Sequence, residues 1–118
     1  MRSLVSQSLR RDGHEVFEVG DGARLLVRIG RQYNNDAPEP QIDLIVTDLQ
    51  MPVVTGLAIL RGLRAGHCTT PVVLMTAFGD EPTRREAADL GALLLDKPFA
   101  MDELRALVLD LLRGRAGR

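Results

Sequence analysis

Three short apolar runs, spaced by stretches of helical pattern, constrain this chain more than any other feature. They are Ile42-Asp43-Leu44-Ile45-Val46-Thr47, closing on Asp48; Val72-Val73-Leu74-Met75-Thr76-Ala77; and Leu93-Leu94-Leu95, closing on Asp96-Lys97-Pro98. Near-continuous apolar runs of this length suit strands buried on both faces, as in parallel sheets. Open parallel sheets carry their ligand sites beyond the C-terminal ends of the strands. A carboxylate (Asp48), a hydroxyl (Thr76) and an ammonium (Lys97) are therefore expected at one edge of one sheet.

The remaining segments alternate in the same sense. Leu4, Val5 and Leu9 set an amphipathic helix that stops near Asp12-Gly13, because glycine takes the left-handed cap at little cost. His14–Val19 alternates polar and apolar and reads as a strand. Asp21-Gly22 precedes a second helix with Leu25, Leu26 and Ile29 on its buried stripe. Residues 34–40 form a polar, proline-bearing loop before the strand that ends at Asp48. Thr55 caps a helix over Gly56–Ala65, and Asp80 caps a short helix with Pro82 in its first turn. Leu104, Leu107, Val108, Leu111 and Leu112 make the buried face of a closing helix.

The order α-β-α-β-α-β-α-β-α implies an α/β fold, a doubly wound parallel sheet with helices on both faces. It begins on a helix, whereas such folds usually begin on a strand. The expectation is a peripheral first helix or a first strand missing ahead of Met1.

At 118 residues and 13.0 kDa the chain is expected to be one domain over 1–118, with Arg113, Arg115 and Arg118 in a basic tail or linker stub at 113–118. A net charge of -1 gives no general attraction to nucleic acid or membrane. Cys68 is the single cysteine, which excludes an internal disulfide and points to a cytoplasmic setting. Met1-Arg2-Ser3-Leu4 lacks the apolar core of a signal peptide.

Phosphoryl transfer to a carboxylate needs an exposed nucleophilic oxygen, positive charge on the phosphoryl oxygens, a nearby hydrogen-bond donor and usually a divalent cation. Asp48 can serve as nucleophile, Lys97 as fixed ammonium and Thr76 as hydroxyl donor. The backbone N–H of Ala77 can add an oxyanion contact. Each residue also has a plain role open to it: Asp48 as a turn cap, Thr76 as a strand-end hydroxyl bonded to backbone, Lys97 as a solvated lysine. Asp12 and Asp21 precede glycines and read as turn or cap residues. His14 and His67 stand alone without ligand spacing, and Met51 and Met75 read as packing.

At these residues the chain resembles the receiver domain of bacterial two-component response regulators. The matching motifs are Thr47-Asp48-Leu49-Gln50-Met51-Pro52 with Gly56, Leu74-Met75-Thr76-Ala77, and Asp96-Lys97-Pro98-Phe99, in the family's order. The resemblance implies a flavodoxin-like receiver fold, with Asp48 as phosphoacceptor, Thr76 as switch hydroxyl and Lys97 as phosphate contact. It also implies a cis peptide before Pro98. A histidine kinase or phosphotransfer protein would donate the phosphoryl group. An effector domain or partner protein would read the changed surface of the fourth helix and last strand.

Three departures from the family pattern bear on this. The family's first strand ends in an acidic pair that holds Mg²⁺, and this chain has neither the strand nor the pair. Metal contacts reduce to Asp48 and the backbone carbonyl of Gln50, so weak Mg²⁺ binding is expected. The missing strand would lie between His14–Val19 and Leu44–Thr47, leaving edges open to rearrangement, strand exchange or homodimer formation. Leu94 stands where many members carry the aromatic of the switch, and Thr55 where an acid is common.

The reading is a non-enzymatic signalling domain that accepts phosphate on Asp48. Its alternative is a phosphorylation-incompetent interaction module acting through dimerisation or partner binding. An aspartyl-phosphate hydrolase is disfavoured, because those enzymes resemble Asp-x-Asp and this chain has Gln50 at the second acid.

Overall fold

A computed structural model of the chain describes residues 2–19, 22–34, 42–49, 55–77 and 80–116. Asp21, Gln50, Met51, Pro52, Arg118 and most of the expected 34–40 loop lie outside the described residues. The elements are α1 (Arg2–Arg11), α2 (Gly22–Asn34), β1 (Ile45–Asp48), α3 (Gly56–Ala65), β2 (Val72–Thr76), α4 (Glu81–Asp89), β3 (Leu93–Asp96) and α5 (Met101–Ala116).

Among the described residues the sheet has three parallel strands in the order β1-β2-β3. β2 is central and buried at every position, which is why its sequence is apolar without alternation. Its residues divide by parity. Val72 and Leu74 join a core with Leu25 and Ile29 of α2 and Ile59, Leu60 and Leu63 of α3. Val73 and Met75 point the other way, into a core with Val5 and Leu9 of α1 and Leu104 and Val108 of α5. Burying each such side chain contributes about 1.5–3 kcal/mol. Helices therefore cover both faces, as a doubly wound sheet requires.

Local signals set the helix boundaries. The Thr55 side chain accepts from Ala58 N at 3.1 Å, and Asp80 Oδ1 accepts from Thr83 N at 2.9 Å, with Pro82 in the first turn. Gly13 follows α1 at φ +92°, the left-handed conformation expected of a glycine cap. α4 buries only Ala87, whose small side chain lets the helix approach its neighbours closely.

One expectation needs correction. His14–Val19 is not a strand: the run carries no ladder to any described residue, although Val16 packs inward while Glu15 and Phe17 are exposed. A strand exists only through a partner's hydrogen bonds, and local alternation cannot supply one. α5 continues to Ala116, so Arg113 is helical.

Candidate functional site

Asp48 is the last residue of β1, opposite Met75 of β2 in the parallel register. The ladder continues one step past the strand, because Leu49 N donates to Met75 O at 2.8 Å. Gly56 N donates to Leu49 O at 3.0 Å, and a Cβ on Gly56 would stand 2.4 Å from the Asp48 backbone oxygen. Only glycine lets α3 start this close to the strand end.

On the other side of β2, Thr76 lies opposite Asp96 of β3, and Lys97 N donates to Thr76 O at 2.7 Å. That bond holds the Lys97 backbone against the sheet end, where the peptide to Pro98 is cis, as the resemblance implies. The Lys97 side chain crosses the end of β2, and its Nζ pairs with Asp48 Oδ1. Both side chains are about one third exposed, so the carboxylate is reachable from solvent.

Thr76 is buried at 3% exposure and sits on the same strand-end row as Asp48 and Lys97. Ala77, next in sequence, is exposed at the mouth of the site. Leu94, opposite Leu74 in register, packs against the core beneath α2 and α3. Gln50 lies outside the described residues. Asp12 closes the turn after α1 and its carboxylate pairs with Arg105 of α5. Met75 is packed in the α1–α5 core, as expected for a filler rather than a ligand.

The donor set bears on metal binding. Mg²⁺ takes near-octahedral oxygen ligation, commonly through carboxylates and substrate phosphates. Among the described residues no group of three or more His, Cys, Asp or Glu side chains could hold a metal ion, and the Asp48 carboxylate is engaged by Lys97. The described side chains do not by themselves fit a tight Mg²⁺ site.

Sequence reasoning missed the arginines that brace this end of the fold. Arg84 of α4 pairs with Asp96 at the end of β3, one residue from Lys97. That bond holds the Asp96 carboxyl below the usual carboxylate range. Arg61 of α3 pairs with Glu86 of α4. Arg64 donates from Nε to Leu90 O at 2.6 Å, and from Nη1 to Cys68 O at 2.8 Å and Thr70 O at 3.0 Å. One guanidinium thus satisfies the carbonyls of two connections. Apart from Arg64–Cys68, four positions apart, these pairs join residues 6 to 26 positions apart and have no local spacing signal.

Comparison with known proteins places this geometry among relatives. The family model for the response regulator receiver domain matches residues 1–109. The chain is similar to the response regulator protein PmrA of Pseudomonas aeruginosa, 37% identical over 115 residues, covering 97% of this chain and 48% of that protein. It is 35% identical to the transcriptional regulatory protein CpxR of Escherichia coli over 114 residues, covering 96% of this chain and 45% of that protein. The chain thus spans less than half the length of these two relatives. Sporulation initiation phosphotransferase F of Bacillus subtilis is 28% identical over 109 residues, covering 92% of this chain and 82% of that protein. Among solved structures, the receiver domain of the Francisella response regulator 1452 superposes with a TM-score of 0.82 at 26% identity, covering 96% of this chain and 88% of that one.

Proposed function

We propose, on the premise that this chain belongs to the response regulator receiver domain family, that it accepts a phosphoryl group on Asp48 from the phosphohistidine of a partner kinase or phosphotransfer protein. The observation that carries this reading is the Lys97 ammonium seated on Asp48 Oδ1 at the C-terminal ends of parallel strands. In the transfer an Asp48 oxygen attacks phosphorus as the P–N bond to the donor imidazole breaks. The electron pair returns to that nitrogen, which takes up a proton. Lys97 stays beside the new acyl phosphate and offsets its charge.

The Thr76 hydroxyl is the donor that responds. Phosphate on Asp48 draws it inward and biases α4 and the end of β3 between two arrangements, which an effector domain or partner reads. The Arg84–Asp96 pair ties those two elements together and lies on that surface. Receiver domains are signalling proteins, mostly not enzymes. Among the described residues no helix is long and apolar enough to cross a membrane.

Intact mass after incubation with a small acyl phosphate and Mg²⁺ tests the reading. Addition of about 80 Da, the mass of HPO₃, that disappears in Asp48→Asn is the expected result. No adduct, or one that survives the substitution, defeats it. The sparse metal donor set favours a second reading, an interaction module that binds partners without phosphate. An unmodified chain that still binds its partner would establish that one.

A further inference from the structure

α4 differs from the other helices in what fastens it. Its residues, Glu81–Asp89, include no Val, Leu, Ile, Met or aromatic side chain, and the helix buries only Ala87. By contrast α2 seats Leu25 and Ile29 in the core, α3 seats Ile59 and Leu60, and α5 seats Leu104 and Val108. A single methyl group removes far less apolar surface from water than two such side chains, so apolar packing alone holds α4 weakly.

Charge supplies much of the rest. Arg61 of α3 donates from Nε and Nη2 to the two carboxylate oxygens of Glu86, and Arg84 donates from Nη1 and Nη2 to both oxygens of Asp96 at the end of β3. Positions 84 and 86 lie about 200° apart around a helix of 3.6 residues per turn. One pair therefore ties α4 to α3 on one side, and the other ties it to β3 on the opposite side. Paired donors on paired oxygens make these stronger than most surface ion pairs, yet the side chains are 33% to 62% exposed and open to screening by salt. The C-terminal end of α4 is fastened differently: Leu90 is partly buried on the core, and Arg64 Nε donates to its carbonyl oxygen at 2.6 Å in a part-buried bond.

We infer that the Arg61–Glu86 and Arg84–Asp96 pairs form a salt-sensitive clamp that holds α4 in its resting position, and that α4 opens from its N-terminal end when the clamp weakens. A helix this short does not persist once undocked, so opening melts it, while Leu90 and the buried Ala92 keep the following turn on the core. Insofar as phosphate on Asp48 moves α4, which rests on the reading above, these two pairs are the contacts that must yield.

Amide hydrogen exchange of the full, unphosphorylated chain provides the test. Raising NaCl from about 0.1 to about 1 M shortens the screening length from about 10 to about 3 Å. It should speed exchange of amides 84–89 by about threefold or more and leave those of β2 and α5 unchanged. Arg61→Met and Arg84→Met keep an apolar stem, and each should speed the same amides about threefold, the double variant about tenfold. Arg61→Glu combined with Glu86→Arg should restore the protection that Arg61→Glu alone removes. Asp48→Asn should show the same salt response, so failure of the phosphoacceptor reading and failure of the clamp are separate results. Exchange at 84–89 that ignores salt and both methionine variants overturns the proposal. So does a rise shared equally by β2 and α5, or a charge swap that restores nothing. If a variant does not fold, the salt series on the unaltered chain decides.

Discussion

Lys97 Nζ pairs with Asp48 Oδ1 across the end of β2, joining residues 49 apart in the chain. The lysine is held there by its own backbone, through the bond from Lys97 N to Thr76 O. The pair is one third exposed, so its worth to folding is about 0–1 kcal/mol. Its value lies in placing positive charge where phosphoryl oxygens would arrive.

Lys97→Met is therefore expected to leave thermal stability within about 1 kcal/mol of the unaltered chain yet slow adduct formation on Asp48 by about 10²-fold. Lys97→Arg should retain part of the rate. Intact-mass time courses with a small acyl phosphate measure both, and an unchanged rate in Lys97→Met would remove the lysine from the chemistry.

Gly56 and Gly62 of α3 should respond in opposite ways to alanine. At Gly56 the new Cβ meets the Asp48 backbone oxygen at 2.4 Å, costing about 1–3 kcal/mol and displacing the acceptor. At Gly62 the nearest atom is Leu26 Cδ2 at 3.8 Å, an ordinary contact, so alanine should stabilise the helix by about 0.5–1 kcal/mol. Urea midpoints distinguish the two, and Gly56→Ala should also lose adduct formation.

Thr76→Val removes a buried hydroxyl from a strand at 3% exposure, at a cost of about 1–3 kcal/mol. Thr76→Ser keeps the hydroxyl. After phosphorylation, amide shifts in α4 and at the end of β3 should appear in the serine variant and be lost in the valine variant. Equal shifts in both would show that Thr76 does not carry the switch.

Asp12, Asp80, Glu86 and Asp96 are all held below their ordinary values, chiefly by hydrogen bonds from Arg105, Thr83, Arg61 and Arg84 respectively. In such groups the unfolded chain binds protons first as pH falls. Their stabilisation is complete above the unfolded values, about 3.9 for Asp and 4.3 for Glu, and is lost as pH drops through the lower folded values. Urea midpoints should therefore be flat above about pH 5 and fall below about pH 4. Asp12→Asn and Asp96→Asn should each make that fall shallower.

Much of the fold was legible because its signals are local. The Thr55 and Asp80 caps, the Gly13 stop, the apolar run of β2 and the 3.6-residue stripe of α5 each depend on residues within a turn or two. The strand-end positions of Asp48 and Thr76 followed from the same runs. Other features depended on partners far away in the chain. His14–Val19 has strand-like alternation, but it forms no ladder with a described strand. Arg64, Arg84 and Arg105 carried no expectation from the sequence, and the packing of α3 on α4, α4 on β3 and α1 on α5 gave them their distant partners.

The sequence by itself determined which residues face the core and which polar groups arrive at strand ends, because periodicity and capping act over one or two turns. Tertiary structure alone decided that Lys97 lies on Asp48 and that Arg84 locks onto Asp96. Those outcomes depend on which strands find partners and how closely helices approach, and such long-range contacts are set by the packed chain as a whole.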